Sequence, residues 1–297
     1  MIPTYGRPGQ VAECLGSIAG LEYPRDSLEV LVVDDGSPTP LDDVVARFRP
    51  QVPLTLIRQV NAGPSAARNT GAGRAKGEYL AFTDDDCLVD PGWLVALAAV
   101  WAESPDCMVG GLTLNGAEGV CSKTSQLIQD VVYRHYNADP VRARFIASSN
   151  MALPARGFRA VGGFDPSFRA AEDRDLCDRW LHRGNRIVYS PGARVHHVRP
   201  MNVAAFCRQH FHYGRGAEQF RRRRAERRSG RFLTEARFHL DVRNWLWYPL
   251  TRVPRSQIPS VTLLLGLWQA SNFAGFLWAA LRNMVLGLRD GRLSYSA

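Results

Sequence analysis

From residue 2 to about residue 103, short apolar runs alternate with segments whose apolar residues recur every three or four positions. Ile2-Pro3-Thr4 reads as the tail of a truncated first strand. A helix is predicted next, with Pro8 in its first turn, where the missing N–H of proline has no partner to lose. Val11, Cys14, Leu15 and Ile18 fall on one face of that helix. Leu28 to Val33 predicts a near-continuously apolar strand, as strands buried on both faces of a parallel sheet are. Leu41, Val44, Val45 and Phe48 mark a short amphipathic helix, Leu54 to Ile57 a third strand, and Asn61-Ala62-Gly63-Pro64 a turn into a small-residue helix over Ser65 to Ala75. Residues 78 to 83 predict a fourth strand, and Pro91 opens a helix carrying Trp93, Leu94, Leu97 and Val100. This alternation argues an α/β fold, a mostly parallel sheet flanked by helices.

The pattern is less regular beyond that point. Cys107 to Leu112 predicts a strand, residues 120–137 a polar helix, and Phe145 to Leu153 a strand that contains Ser148-Ser149-Asn150. Gly162-Gly163-Phe164-Asp165-Pro166 reads as a turn. Glu172-Asp173-Arg174-Asp175 opens a helix expected to run to about His182 and stop at Gly184. Arg186 to Tyr189 predicts a short strand, and Val195-His196-His197 closes this part. Residues 204–240 then read as basic and helical, Asn244 to Pro249 as aromatic-rich, and residues 261–281 carry no formal charge, although Gln269, Ser271 and Asn272 interrupt them. The expected organisation is one α/β domain over residues 1–200, in halves 1–105 and 106–200, followed by a helical, basic and hydrophobic region over 201–297.

The chemistry concentrates at strand ends. The apolar run Tyr79 to Phe82 passes through Thr83 into three consecutive carboxylates, Asp84, Asp85 and Asp86, and the second strand ends in Asp34-Asp35-Gly36-Ser37. Adjacent acids repel one another, and a divalent cation is the usual compensation; hard cations take oxygen ligands and share them with phosphates. A solvated acidic turn is the alternative reading. Strand C-termini are where open α/β sheets bind ligands, so the edge shared by both acidic ends is the expected nucleotide site.

The formal net charge of +9 owes much to one cluster, Arg221 to Arg224 with Arg227, Arg228 and Arg231. Such a cluster suits nucleic acid, an anionic membrane surface or an anionic substrate. The 6 cysteines form no C-x-x-C pair, which excludes zinc-ribbon and thioredoxin-like readings and fits a reducing compartment. No basic segment followed by an apolar one opens the chain, so no signal peptide is expected.

Six motifs in order resemble family 2 glycosyltransferases of the GT-A fold. Pro3-Thr4-Tyr5-Gly6-Arg7-Pro8 resembles the opening P-T-Y-N-R-P, with Gly6 in place of Asn. Val32-Val33-Asp34-Asp35-Gly36-Ser37 matches V-V-D-D-G-S, and Ala66-Ala67-Arg68-Asn69-Thr70-Gly71 matches A-A-R-N-x-G. Phe82-Thr83-Asp84-Asp85-Asp86 resembles the D-x-D segment, Gly162-Gly163-Phe164-Asp165 with Glu172-Asp173 the G-G-F-D…E-D block, and Pro191 to His197 the ending P-x-A-x-V-x-H. The resemblance covers residues 2–197.

It implies inverting transfer of a sugar from a nucleotide diphosphate, a UDP-sugar first among candidates, to an acceptor hydroxyl on a glycan or lipid-linked molecule of cell-surface synthesis. By the same resemblance Asp86 and His197 ligate Mn2+ or Mg2+, and Asp84 lies nearer the ribose and sugar. Asp173 is the base, with Glu172 as the alternative. Pro3, Thr4, Asp34, Asp35, Arg68 and Asp85 belong to the nucleotide-sugar site, and Asn150 is expected near the donor sugar. Residues 1–105 then form the nucleotide-binding half and 106–200 the acceptor-binding half. If His197 stands on a strand, His196 points to the opposite face. The helix dipole at the start of the 172–182 helix favours an ionised Asp173. Arg179-Trp180 is spaced too closely to the acidic block to serve the acceptor, so Trp180 is expected in the core.

Other readings are weaker. A sugar nucleotidyltransferase wants a Gly-rich, basic phosphate loop after the first strand, which Pro3 to Arg7 is not. A non-catalytic nucleotide-sugar binding protein would not need Asp84, Asp86, Asp173 and His197 together. No nucleic-acid partner is expected, because no aromatic residues interleave with the arginine cluster. Residues 261–281 are long enough to span a bilayer but only moderately apolar. With Trp245, Trp247 and Tyr248, the arginine cluster upstream, and Arg282 and Arg289 downstream, they predict peripheral or monotopic attachment at the cytoplasmic face of the cell membrane. A buried helix on the catalytic domain is the alternative.

Overall fold

The computed structural model describes residues 1–229 and 238–289. Arg231 of the arginine cluster, the stretch 230–237 of the basic segment and the side chain of Arg289 lie outside the described residues. The chain divides into two compact units. One comprises Met1–Glu118, Val132–Ser167 and Glu172–Pro200; the other comprises Gly119–Val131, Phe168–Ala171 and Met201–Ala297.

The first unit is α/β. Strands β1 (Ile2–Thr4), β2 (Val30–Asp34) and β3 (Leu54–Arg58) form a parallel sheet in that order. Their crossovers are helices α1 (Pro8–Ala19) and α2 (Asp42–Phe48). Helix α1 buries Val11, Cys14, Leu15 and Ile18, the face read from its periodicity. Helix α3 (Pro64–Arg74) leads to β4 (Tyr79–Phe82). The Met1 amino group donates to the Ala81 carbonyl at 3.0 Å and the Thr83 N–H to the Met1 carbonyl at 3.1 Å, so β4 lies beside the start of β1.

Beyond β4 the sheet is mixed. It contains β5 (Cys87–Val89), β6 (Met108–Asn115), β7 (Met151–Pro154) and β8 (Ile187–His197), in the order β4-β7-β6-β8-β5. Only β6 and β8 run parallel; β4–β7, β6–β7 and β5–β8 are antiparallel. The acidic turn after β4 therefore leads to a strand at the opposite end of this order, β5, which pairs with β8. Helices α4 (Trp93–Glu103), α5 (Val120–Tyr136), α6 (Ala155–Ala160) and α7 (Glu172–His182) complete the order, α5 being shared between the two units. Trp180 is buried and donates Nε1–H to the Arg186 carbonyl at 2.8 Å, the core position expected for it.

Two predicted strands differ. The stretch read as a strand over 145–153 is a single helical turn, Ser148–Asn150, followed by β7. Side chains satisfy the backbone there instead of a neighbouring strand. Asn137 accepts from the Arg144 and Phe145 N–H groups at 3.1 and 3.2 Å and donates to the Phe145 carbonyl at 2.7 Å, and the Tyr133 hydroxyl accepts from the Ala147 N–H at 2.9 Å. Such local competition removes any need for a ladder. The segments 186–189 and 195–197 are one strand, β8, whose register against β6 shifts between Gly111 and Leu112.

In the second unit α8 (Val203–Arg227) packs along a long helix, α9 (Ile258–Arg289). Arg243–Trp247 forms a π-helical turn between them. No helix among the described residues is long and apolar enough to cross a membrane.

Candidate active site

The strand ends bring the acidic residues together. Thr4 ends β1, Asp34 ends β2, Asp84 to Asp86 join β4 to β5, and His197 ends β8 beside β5. His197 pairs with Cys87 in the ladder, which sets its ring against the preceding aspartate. Its Nε2 lies 3.2 Å from Asp86 Oδ1, while His196 lies 2.8 Å from Asp90 Oδ1, so the strand alternation sends the two histidines to different carboxylates.

One polar chain runs from His197 through Asp86 to Arg7, whose Nη1 reaches Asp86 Oδ2 at 3.3 Å and Asp85 Oδ1 at 2.9 Å. Asp85 Oδ2 accepts from the Thr4 hydroxyl at 2.7 Å. A second chain centres on buried Arg68, which donates to Asp84 Oδ1 at 2.6 Å and to Glu172 Oε1 at 3.1 Å. Arg68 sits on α3 among the small residues Ser65, Ala67, Gly71 and Ala72, which are buried with it. Sequence reasoning placed Thr4, Arg68, Asp84, Asp85, Asp86, Glu172 and His197 in one site, and the fold gathers all of them. It missed Arg7, whose signal was a cation three residues past a strand end that faces acids. Arg199, which adds positive charge near Asp86 and His197, was missed as well.

Electrostatics separate the acids. Burial pushes Asp85 up to about 6, against the hydrogen bond of Thr4 and the charge of Arg7. Burial would raise Asp86 too, but the hydrogen bond and charge of His197, with Arg7 and Arg199, hold it below its ordinary value. Burial would lower His197, and the hydrogen bond and charge of Asp86 outweigh it, so His197 stands above its ordinary value. Asp86 and His197 supply an oxygen and a nitrogen, a donor pair suited to Mn2+. The Cys87 thiol is the third group within 4.8 Å of them. Burial pushes that thiol well up, so it stays protonated and is a poor ligand for a hard cation.

Asp173 stands second in α7 and accepts from the Arg174 N–H at 2.8 Å. The helix dipole was expected to favour an ionised Asp173, and the packed surroundings act against that ionisation. Burial first, then the neighbouring Glu172 charge, push Asp173 up to about 7, with the Arg174 N–H, Arg174 and Arg68 opposing. The Arg174 guanidinium donates to the Tyr136 hydroxyl at 2.8 Å.

Asp34 and Asp35 hold loops together. Asp34 accepts from Ser37 N–H at 2.8 Å and Arg58 Nε at 3.1 Å, and Asp35 from Gln59 Nε2 at 2.7 Å and the Ala62 and Gly63 N–H groups at 2.9 and 2.8 Å. Gly36 between them and Ser37 has φ +83, and a Cβ there would meet the Asn61 nitrogen at 2.9 Å. Pro3 contributes backbone, paired with Val33.

Asn150 is a correction. It is fully buried; its Oδ1 accepts from Trp93 Nε1 at 2.8 Å, and its Nδ2 donates to the Leu112 and Ala193 carbonyls at 3.2 and 3.0 Å. Both amide N–H groups are used inside the core, so no donor remains for a sugar. Asn150→Ala orphans three buried groups at about 1–3 kcal/mol each and is expected to lower Tm by roughly 5–10 °C. Nucleotide affinity of the folded protein stays unchanged; a variant of normal Tm and weakened affinity would return Asn150 to the site.

The sequence profile described as "Glycosyl transferase family 2" matches residues 1–160. The pre-mycofactocin glycosyltransferase of Mycobacterium tuberculosis is 28% identical over 198 residues, 64% of this chain and 42% of that protein. The chain therefore spans less than half the length of that relative. The succinoglycan biosynthesis protein ExoW of Rhizobium meliloti is 26% identical over 93% of this chain and 94% of its own. Among solved structures, the mannosyltransferase PcManGT from Pyrobaculum calidifontis, in complex with GDP-Man and Mn2+, superposes with a TM-score of 0.67 at 20% identity, covering 95% of this chain and 85% of that one. Staphylococcus aureus TarS 1–349 in complex with UDP-GlcNAc gives 0.54 at 19% identity, covering 100% and 92%. At such identities these structures speak for a shared GT-A fold.

Proposed function

The chain belongs to the family 2 glycosyltransferases, and from that membership we propose that it moves a sugar from a nucleoside diphosphate sugar to an acceptor hydroxyl with inversion. The observation that carries this reading is the hydrogen-bonded array at the strand ends, in which Thr4, Arg7, Arg68, Asp84, Asp85, Asp86, Glu172 and His197 meet.

Asp86 and His197 would hold Mn2+ or Mg2+. Bound there, the ion would neutralise the leaving diphosphate. Thr4 and Arg7 keep Asp85 and Asp86 aimed at one place. Arg68 fixes Asp84, the residue assigned to the ribose and sugar, against Glu172. Asp34 and Asp35 shape the loops around the nucleotide base. Asp173 takes the proton of the attacking hydroxyl; held near 7, it is ionised in a useful fraction at neutral pH and still basic. Glu172, tied to Arg68, is the less suited of the pair.

PcManGT is described with GDP-Man and TarS with UDP-GlcNAc. For this chain the donor is assigned as a nucleoside diphosphate sugar, a uridine nucleotide first. The acceptor is a glycan or a lipid-linked hydroxyl in cell-surface synthesis, reached at the cytoplasmic face of an anionic membrane. Thermal unfolding with a panel of UDP-, GDP- and dTDP-sugars is the test. Saturating the right donor at a hundredfold excess over Kd stabilises by about 2.7 kcal/mol, and the rise in Tm is expected with Mn2+ and not with EDTA. No rise with any donor in the presence of Mn2+ overturns the reading.

A further inference from the structure

Helix α9 carries large apolar side chains on its outward face as well as on its buried one. A surface helix of a water-soluble protein normally turns its apolar face inward and its polar face to solvent. Two polar side chains of α9 are tied to the rest of the unit: Gln269 Oε1 meets the exposed His239 Nδ1 at 3.0 Å, and Asn283 donates to buried Glu218 Oε2 at 2.9 Å. A Cβ at Gly214 would collide with the backbone of Asn272, and one at Gly275 with the backbone of Phe211, so α8 and α9 cross closely there. Val261, Leu264, Leu265 and Trp268 fill the rest of that inner face.

The outer face is largely apolar. Leu263, Phe273, Leu277, Leu281, Met284 and Val285 are 65%, 63%, 42%, 57%, 51% and 47% exposed. At 1.5 Å per residue the stripe from Leu263 to Val285 is roughly 33 Å long. A continuous exposed apolar stripe of this length marks a contact surface.

Its rim is basic. The Arg215 and Arg282 guanidinium groups lie 4.5 and 5.3 Å from the centre of the Trp278 ring. Residues 258–289 contain no acidic residue. Residues 201–297 hold 16 arginines against 5 acidic residues, so the whole of the +9 excess falls in this region and the remainder of the chain is slightly acidic.

We propose that the outward face of α9 docks on an anionic lipid bilayer, with the helix lying in the plane of the headgroups. A second copy of the chain would bring like charges against each other. A nucleic acid would satisfy the arginines and leave the apolar stripe in water. A bilayer with anionic headgroups takes both, apolar side chains into the acyl boundary and arginines among the phosphates. The in-plane arrangement follows because no described helix is long and apolar enough to cross, and the inner face of α9 is already packed against α8. The proposal names the surface for the membrane reading above and stands apart from the transfer chemistry.

The full chain is floated with phosphatidylcholine vesicles, with and without phosphatidylglycerol. The unmodified chain is expected to float with the anionic vesicles at low salt and to be released by salt, each arginine at the surface contributing about fivefold in partitioning. Leu277→Glu with Leu281→Glu is expected to keep its Tm and its nucleotide-induced Tm shift while losing flotation. Flotation that survives this double change, or a wild-type chain that stays soluble with both vesicles, overturns the proposal. So does a dimer in light scattering that the double change dissociates without any flotation of either protein. A chain that floats and shows no nucleotide shift overturns the transferase reading alone.

Discussion

Replacing Asp86 with alanine is expected to lower the transfer rate by about 10²-fold or more, as removal of a group that organises charge at a reacting centre typically does. Asp86 holds His197 at 3.2 Å on one oxygen and Arg7 at 3.3 Å on the other. Its loss removes an anionic ligand for the ion and the carboxylate that both His197 and Arg7 contact. Two measurements separate these effects. Mn2+ affinity, read by electron paramagnetic resonance without any donor, is expected to fall in Asp86→Ala and less steeply in His197→Ala. The rate in EDTA is expected to fall for the unmodified chain and to change little for Asp86→Ala, which has already lost the ion. His196→Ala is the control, since that ring lies against Asp90 at 2.8 Å and not in the array. Full activity of the unmodified chain in EDTA would sink the metal assignment.

The sequence made local features of this site legible, and distance in the chain explains what it hid. Helix α1 shows its buried face through the spacing of Val11, Cys14, Leu15 and Ile18, because helical periodicity is a property of neighbours. The start and end of α7 at Glu172 and His182 were readable for the same reason. Strand alternation separated His196 from His197 before any coordinates did. By contrast, Asn137 satisfies the backbone at 144 and 145 through a return of the chain that no pattern announces, and Asn150 finds Trp93 across 57 residues. A polar residue inside an apolar run reads as a ligand contact in sequence and turns out to be a knot in the core. The Asp173 environment was hidden likewise. Its helix position was legible, but its burial and the fixed neighbour Glu172 depend on the packed structure.

The C-terminal region shows the same limit from the other side. Summed along the chain, Gln269 and Asn272 lower the apolarity of residues 261–281 and make the segment ambiguous. Resolved around the helix, Asn272 lies against α8 and Gln269 against His239, away from the exposed apolar residues Leu263, Phe273, Leu277 and Leu281. A one-dimensional average cannot distinguish a helix with polar residues scattered over its surface from one with all of them turned inward.

Asp173→Asn is expected to abolish transfer, by about 10² to 10⁴-fold, while leaving donor binding intact. The amide is nearly isosteric, keeps the acceptor for the Arg174 N–H at 2.8 Å, and cannot take a proton. In the unmodified enzyme the base must be ionised to work. With Asp173 pushed up to about 7, kcat/KM is expected to rise with pH through that value and then level. The stability consequence has the opposite sign. The folded protein binds the Asp173 proton more tightly than the unfolded chain does, so ionising it costs stability. That cost is absent below the ordinary aspartate range, grows as the pH rises toward about 7, and is complete above it. Asp173→Asn removes the cost, so its Tm is expected to exceed that of the unmodified chain at pH 8 and to match it near pH 4. Glu172→Gln, in contrast, weakens the Arg68 contact at 3.1 Å and is expected to lower Tm with a smaller loss of rate. Thermal unfolding at the two pH values, with donor-induced Tm shifts and rates for both variants, checks every part. A dead Glu172→Gln beside an active Asp173→Asn would transfer the role of base to Glu172, and an Asp173→Asn that is less stable at pH 8 would show that the buried carboxylate supports the fold instead of straining it.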